Sequence, residues 1–330
     1  MSAVLIIGGG LVGSQVARLL VEAGERPVIM DRAAQTEALT DIVDLARVRV
    51  IEGDVLRPLS LTQAIREHGI AEVVHTAANP LLTLGAQRDP YGAIELNVMG
   101  TVNVLETARV HRLKRVVVAS SNVLNHFLSG GEAKGDPSRE EAFMRPTTFY
   151  ATTKQAVENL GLNYARWCGV DFAAVRYGAV AGPWRGQGGG GPSNVLREAV
   201  QRALRGEEAV IPAARLEWVY SKDAARGTVL ALRAPRLASR VFNLTMGYVC
   251  GPDELAAALK AAIPGARVRV ETPAASAAAL PDMDHASDLG LAKDVLGFTP
   301  EYRMPDAVRE LAQWHRERTG ADAGKRRANA

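Results

Sequence analysis

Ala3-Val4-Leu5-Ile6-Ile7-Gly8-Gly9-Gly10-Leu11-Val12-Gly13 is the stretch that decides the fold. Its apolar opening is too short to span a membrane and reads as a buried strand. That strand runs into G-x-G-x-x-G, and the segment from Ser14 to Glu22 carries a helical pattern that stops at Ala23-Gly24. Between a strand and a helix the glycines have separate tasks. Gly8 permits a tight turn, Gly10 lets backbone amides approach a pyrophosphate, and Gly13 allows close packing of the helix. The helix N-terminus then faces the phosphates with its partial positive charge. The segment has no basic leader and no small-residue cleavage site, so no secretory signal is expected.

Working outward, the next strand, Pro27-Val28-Ile29-Met30, ends at Asp31. A carboxylate about 20 residues past the glycines accepts hydrogen bonds from a ribose and repels the 2′-phosphate of NADP, so NAD is expected over NADP. Arg32, beside it, is the one residue there that could greet such a phosphate. Further strands are expected at Val48 to Glu52, Val73 to Thr76, Arg115 to Ala119 and Phe172 to Tyr177, with helices between them. Ser60 is expected to cap one helix, and Pro90 to Val110 to form another. His75 reads as a packed core histidine. Strands alternating with helices imply parallel pairing with right-handed crossovers. The fold class is therefore α/β, a Rossmann-type doubly wound parallel sheet, with ligands off the carboxyl ends of its strands.

Past Tyr177 the pattern loosens. Gly188 to Gly191 reads as a hinge or flexible rim, and Leu128 to Pro146 as a surface loop able to cover a site. Short strands near Ala209 to Ile211, Glu217 to Val219, Val241 to Leu244 and Arg267 to Val270 are interleaved with helices, one of them capped by Ser221. We expect residues 1–177 to form the dinucleotide-binding domain, with 218–248 returning to it. Residues 178–217 and 249–319 then form a smaller C-terminal substrate-binding lobe, and 320–330 a disordered tail.

Composition bounds the rest. The 330 residues are 47% apolar and 23% charged with a net charge of +3, as in ordinary soluble globular proteins. The one dense basic cluster, Lys325-Arg326-Arg327, is in the tail, so no nucleic-acid partner and no membrane partner is expected. Cys168 and Cys250 cannot build a disulfide framework and lack metal-ligand spacing; they read as packed thiols in a reducing cytoplasm, with no metal.

Tyr150-Ala151-Thr152-Thr153-Lys154 places a phenol and an ammonium on one helix face. Tyrosine is a poor base at its reference pKa of about 10, and an adjacent cation favours the phenolate. That pair can exchange a proton with an alcohol or ketone, which suits hydride transfer.

Together with His75-Thr76-Ala77-Ala78, Asn97 to Leu105, Ala119-Ser120-Ser121, Arg176, Gly182-Pro183 and Val219 to Asp223, these stretches resemble the extended short-chain dehydrogenase/reductase family, the NAD-dependent epimerase/dehydratase group. The resemblance extends to about Arg318. It implies that Tyr150 is the catalytic acid/base, that Lys154 lowers its pKa and binds the nicotinamide ribose, and that Ser121 holds the substrate oxygen. It puts Asp54 and Val55 at the adenine, and Thr76, Ala77, Ala78 and Asn97 along the cofactor pocket. Leu11, Val12 and Tyr177 complete that set with the glycines, Asp31 and Arg32. A homodimer through the helices of 90–110 and 150–168 is also implied.

Departures from the family narrow the substrate. Asn122 and Val123 stand where related dehydratases carry an Asp-Glu pair, which argues against dehydration. Ala179 replaces an asparagine of the sugar-nucleotide enzymes, and Pro212 to Leu216 is a shortened loop with its arginine offset by one. A nucleoside diphosphate needs several such donors and cations. The expectation is an NAD-dependent oxidoreductase acting on a secondary alcohol or ketone of a small polyol, sugar or sugar-acid-like substrate. Ser121, Asn122, His126, Trp184 and Arg215 are candidate substrate contacts, with Arg185 and Trp218 as further wall residues. The alternatives are an epimerase that retains its NAD and, in another class, a non-catalytic NAD-sensing protein, which would have no need of the Tyr/Lys pair.

Overall fold

The computed structural model describes residues 3–78, 86, 88–127, 146, 148–271 and 283–328; the expected loop from Leu128 to Pro146 lies, but for Pro146, outside the described residues. The first six strands are β1 (Ala3–Ile7), β2 (Val28–Asp31), β3 (Arg49–Glu52), β4 (Ile70–His75), β5 (Arg115–Ser121) and β6 (Phe172–Tyr177). Short strands β7 (Ala179–Ala181), β8 (Ala209–Pro212) and β9 (Leu216–Tyr220) follow, then β10 (Val241–Leu244), β11 (Val249–Cys250) and β12 (Val268–Glu271). Seven of them form one parallel sheet in the order β10-β6-β5-β4-β1-β2-β3. The chain moves outward from β1 through β2 to β3, then restarts on the other side at β4. That reversal leaves a crevice at the carboxyl ends of β1 and β4.

The apolar runs of the strands are explained by two dry faces. Val4, Ile6, Ile29, Val74, Val117, Val175 and Phe242 pack on one side, beneath helices Leu11–Glu22 and Ser221–Arg233. Leu5, Ile7, Val28, Met30, Val73, Val116 and Val118 pack on the other, beneath Pro58–His68, Gly100–His111 and Phe149–Cys168. Successive side chains point to opposite faces, so a strand buried on both must be apolar throughout.

A second core gathers Leu196, Val200, Leu216, Trp218, Leu259, Val308 and Leu311. It lies among helices Gly191–Leu204, Pro252–Ala262 and Met304–Ala328, a three-stranded sheet β11-β9-β7 and the parallel pair β12-β8. β7 and β11 are too short to leave a periodic pattern and were not expected. Two boundaries also differ from expectation. Ala292, Leu296 and Phe298, assigned to the smaller lobe, pack with Phe242 and Leu244 in the first core, so the chain returns to the large sheet once more. The closing helix runs to Ala328, through most of the stretch expected to be disordered.

Local signals were misread in four places. Pro58 opens its helix after Arg57, its ring already holding the helical φ, so Ser60 lies inside the first turn rather than capping it. Ser221 begins its helix and Tyr220 takes the cap position. The helical segment from Pro90 is broken by a π-turn, Glu95–Met99, before Gly100. Cys168, at a helix end, is exposed rather than packed, whereas Cys250 is buried.

Gly161 sets how near the Phe149–Cys168 helix approaches the sheet, since a Cβ there would lie 2.2 Å from the Phe172 ring. Gly161→Ala is expected to destabilise the fold by about 1–3 kcal/mol through overpacking, despite the higher helix propensity of alanine. A lower urea midpoint at unchanged slope would show it; an equal or higher midpoint would contradict this account of the packing.

Candidate active site

Every strand from β1 to β6 delivers its carboxyl end to one cleft of about 430 Å³. After β1 come Gly8, Gly10, Leu11, Val12 and Gly13; after β2, Asp31 and Arg32; after β3, Asp54 and Val55. β4 adds Thr76, Ala77 and Ala78, β5 adds Ser121 and Asn122, and β6 adds Tyr177. The glycine turn is shaped by close approach. Gly8 has φ +98°, and a Cβ on it would stand 2.8 Å from the Ala77 nitrogen; a Cβ on Gly13 would stand 2.0 Å from the Gly8 carbonyl oxygen. At Gly10 a Cβ would meet nothing within 4 Å. The Asp31 carboxylate accepts from the Gly9 amide at 2.8 Å and the Ala33 amide at 3.0 Å, which ties the end of β2 to the turn. A tight turn, backbone with open space in front of it, and a carboxylate one strand away are the features a dinucleotide requires.

Tyr150 and Lys154 are one turn apart on the Phe149–Cys168 helix, whose first turn is capped by Thr148 accepting from the Ala151 amide at 3.2 Å. Both side chains line the cleft and both are buried. Lys154 Nζ donates to the Ala119 carbonyl on β5 at 2.8 Å and stands 5.7 Å from the centre of the Tyr150 ring. The Ser121 hydroxyl, at the end of the same strand, accepts from the Val123 amide at 3.2 Å and lines the same cleft as Tyr150. The three groups therefore converge.

Their electrostatics differ from expectation in one respect. Burial pushes the Tyr150 phenol up to about 12, with the Ser121 hydrogen bond opposing it, so the lowering expected from Lys154 is not the net result. Burial lowers Lys154 to about 8, with the charge of Glu158 working the other way. His75 is the packed histidine expected, pushed down to about 3 by burial and then by the Lys154 charge.

Behind this group lies a buried ion pair. Arg176 grips Glu158 through Nε and Nη2, each at 2.8 Å, and Ser120 Oγ donates to the same carboxylate at 2.5 Å.

The lining is completed by Val180, Gly188, Gly189, Gly190, Leu216, Glu217 and Met283, of which Leu216 belongs to the second core. Gln35 lies across from that glycine run, and its side-chain amide pairs with Gln187 by donating to the carbonyl at 3.0 Å and accepting from the amide. Arg185 and Arg318 both close on Asp41 nearby, Arg185 at 2.5 Å.

Several expected contacts lie elsewhere. Asn97 is buried behind the cleft in the π-turn, donating to Thr153 Oγ1 at 3.0 Å. Trp184 is packed in the first core, with its indole donating to the Gln187 carbonyl at 3.2 Å. Trp218 belongs to the second core. Arg215 is off the wall, Arg185 is committed to Asp41, and the His126 side chain lies outside the described residues. Gln35, Glu217 and Met283 were missed. Glu217 had a signal, a carboxylate in the otherwise apolar run Leu216-Glu217-Trp218-Val219, which burial permits only with partners.

A family profile described as "NAD dependent epimerase/dehydratase family" matches residues 4–245. The chain is 30% identical over 185 residues to the UDP-glucose 4-epimerase of Halalkalibacterium halodurans, covering 54% of this chain and 51% of that one. It is 25% identical over 272 residues to the mitochondrial L-threonine 3-dehydrogenase of Bos taurus, covering 80% and 70% respectively. Among solved structures, the L-threonine dehydrogenase from Phytophthora infestans superposes with a TM-score of 0.82 at 26% identity, covering 96% of this chain and all of the other.

The Glu158–Arg176 pair supplies a test of how the site is supported. Glu158→Gln leaves the Arg176 guanidinium buried without its counter-charge, and a loss of about 3–5 kcal/mol is expected. Denaturant unfolding measures it, and a loss within error of zero would mean the pair does not brace the helix.

Proposed function

Because this chain belongs to the NAD-dependent epimerase/dehydratase family, of the extended short-chain dehydrogenase/reductase type, we propose that it oxidises a secondary alcohol, or reduces the ketone, on a small polyol, sugar or sugar-acid-like substrate. The observation that carries this reading is the convergence of Tyr150, Lys154 and Ser121 on a cleft whose other end has the shape of a dinucleotide site. NAD is the cofactor, and when bound it supplies the hydride acceptor or donor. Gly8 to Gly13, Asp31, Asp54 and Ala77 are the residues that would hold it.

The chain's own groups account for the proton. Ser121 holds the substrate oxygen, and Tyr150 removes the hydroxyl proton in oxidation or returns it in reduction. Lys154 keeps a positive charge below the phenol, anchored by the Ala119 carbonyl, and so favours the phenolate that burial opposes. The short loop Pro212 to Leu216 and Ala179 support a substrate without a nucleotide handle.

A second reading is an epimerase that retains its NAD. The clasp of Gln35 with Gln187, both on the cleft lining, favours it by closing one edge. A homodimer is supported by the exposed apolar residues Tyr91, Met99 and Val110 on one helical segment and Leu162 and Trp167 on another.

Three outcomes are expected. Mixing the protein with NAD and a panel of sugars, sugar acids and other secondary alcohols should raise absorbance at the reduced-nicotinamide band; product inversion with no net absorbance change would favour the epimerase. Tyr150→Phe should lower kcat by about 10²–10⁴ while leaving the Kd for NAD nearly unchanged, and undiminished turnover would remove Tyr150 from the chemistry. Because the phenol begins from a raised pKa, the rate of oxidation should climb with pH across neutrality, and Lys154→Ala should displace that climb to still higher pH. A flat profile in both proteins would contradict the assignment.

A further inference from the structure

Gln35 and Asp41 stand at the two ends of one short helix, Thr36–Thr40, which follows β2 in the chain. Each end is fastened to the segment between β7 and the helix Gly191–Leu204. Gln35 Nε2 donates to the Gln187 carbonyl at 3.0 Å while Oε1 accepts from the Gln187 amide, so one primary amide meets one residue's backbone in both senses. At the other end Arg185 pairs with the Asp41 carboxylate at 2.5 Å and donates to the Glu37 carbonyl at 2.9 Å. Arg318, near the far end of the closing helix, pairs with the same carboxylate and donates to the Asp41 carbonyl at 3.0 Å. The Asp41 side chain is 8% exposed, so it is held by two cations in a largely dry setting.

The segment that these contacts hold is firm at one end and loose at the other. Trp184 is packed in the first core, and Arg197 donates to the carbonyls of Trp184 and Gly186, each at 3.3 Å. Past Gln187, Gly188 and Gly189 have φ of +94° and +84°, a region that glycine enters without strain, and a Cβ on Gly188 would meet nothing within 4 Å. Gly186 leaves room for the joining amide, since a Cβ there would stand 2.6 Å from Gln35 Oε1. Gln35 lines the cleft together with Asp31, and so do Gln187 and the glycines after it. The pair therefore closes an edge of the cleft that a glycine hinge could open.

We infer that Gln35 and Gln187 form a latch on the cofactor cleft, that Arg318 keeps the latch in place by holding Asp41, and that dinucleotide exchange waits on the parting of this pair. This rests on the reading of Gly8 to Gly13 and Asp31 as the dinucleotide site. The latch is made of protein groups alone, a donor and an acceptor on each side satisfying one another. It closes as firmly before a cofactor enters as after, so it slows entry and exit by the same factor and leaves Kd where it is. A residue that gripped the cofactor itself would act on release and on Kd, with little effect on entry. The closing helix, through Arg318, thus governs how fast the cofactor is exchanged and not how tightly it is held.

Stopped-flow fluorescence of NADH on the full chain gives the association rate constant from its concentration dependence and the release rate constant by chase with excess NAD. Gln35 is half-buried, so its truncation opens no cavity in a core. In Gln35→Ala both constants should rise by about tenfold, the factor that two ordinary hydrogen bonds supply, with Kd changed by less than about threefold. Gly186→Ala, whose methyl would enter the space of Gln35 Oε1, should act in the same direction. Arg318→Ala, which leaves Arg185 on Asp41, should raise both constants by a smaller factor. Should Gly186→Ala fail to fold, Gln35→Ala still decides the matter. Faster release with unchanged association in Gln35→Ala would make Gln35 a cofactor contact and overturn the latch, and so would parent-like values of both constants. Parent-like values in Arg318→Ala would overturn the part given to the closing helix. A parent protein that binds no NADH would overturn the dinucleotide-site reading and the latch with it.

Discussion

Lys154 reaches from its helix to the Ala119 carbonyl at 2.8 Å, and one turn further along Glu158 reaches Arg176 on the neighbouring strand at the same distance. Both contacts cross one seam, where the Phe149–Cys168 helix lies against β5 and β6. The seam is narrow because Gly161 has no side chain to separate it from Phe172. Tyr150 emerges at its upper end beside Ser121. A wider seam would leave Lys154 without its carbonyl and Arg176 without its carboxylate, each an uncompensated charge in a dry interior. The polar chemistry of the cleft thus depends on an apolar fit several turns below it.

Burial also makes the site electrostatically uneven. The phenol is pushed up, the lysine down, and His75 beneath them so far down that it stays neutral. Among the described residues, Lys154 is therefore the positive charge held close to the tyrosine, with His75 neutral behind it. Glu158 opposes the desolvation of Lys154 without touching the cleft, since its oxygens are engaged by Arg176 and Ser120. Around Tyr150 the cleft presents the Ser121 hydroxyl and the Asn122 amide, with Lys154 as the neighbouring charge. Such a surface can orient a neutral alcohol without binding an anion in its place.

The two cores meet across the cleft through specific polar joints. Glu217 binds Asn122 of the large sheet, Gln35 binds the backbone at Gln187, and Asp41 gathers Arg185 and Arg318. Each joint ties a residue that follows a β-strand of the large sheet to a segment from later in the chain. The hydrophobic effect builds each core but has no direction; these joints set how one core faces the other, and so define the width of the space where substrate and cofactor would meet.

The chain by itself determined the parallel sheet, its strand ends and the residues set on them. These follow from local rules: apolar runs of strand length, glycines where a turn must be tight, a phenol and an amine spaced by one helical turn. Asp31, Asp54, Ala77, Ser121 and Tyr150 could be read in this way because each sits at a fixed offset from a strong pattern. Tertiary structure alone decided what lies opposite. Trp184 and Trp218 resembled wall residues but were drawn into cores, where large apolar area is best buried. Asn97 was turned inward by a π-turn that no periodicity announces. Glu217 acquired its partners from residues as distant as Asn122, 95 positions back, and the Tyr150 pKa was settled by burial rather than by its neighbour four residues away. Hydrogen-bond satisfaction and desolvation are properties of three-dimensional surroundings, and a linear pattern carries only the groups that will be subject to them.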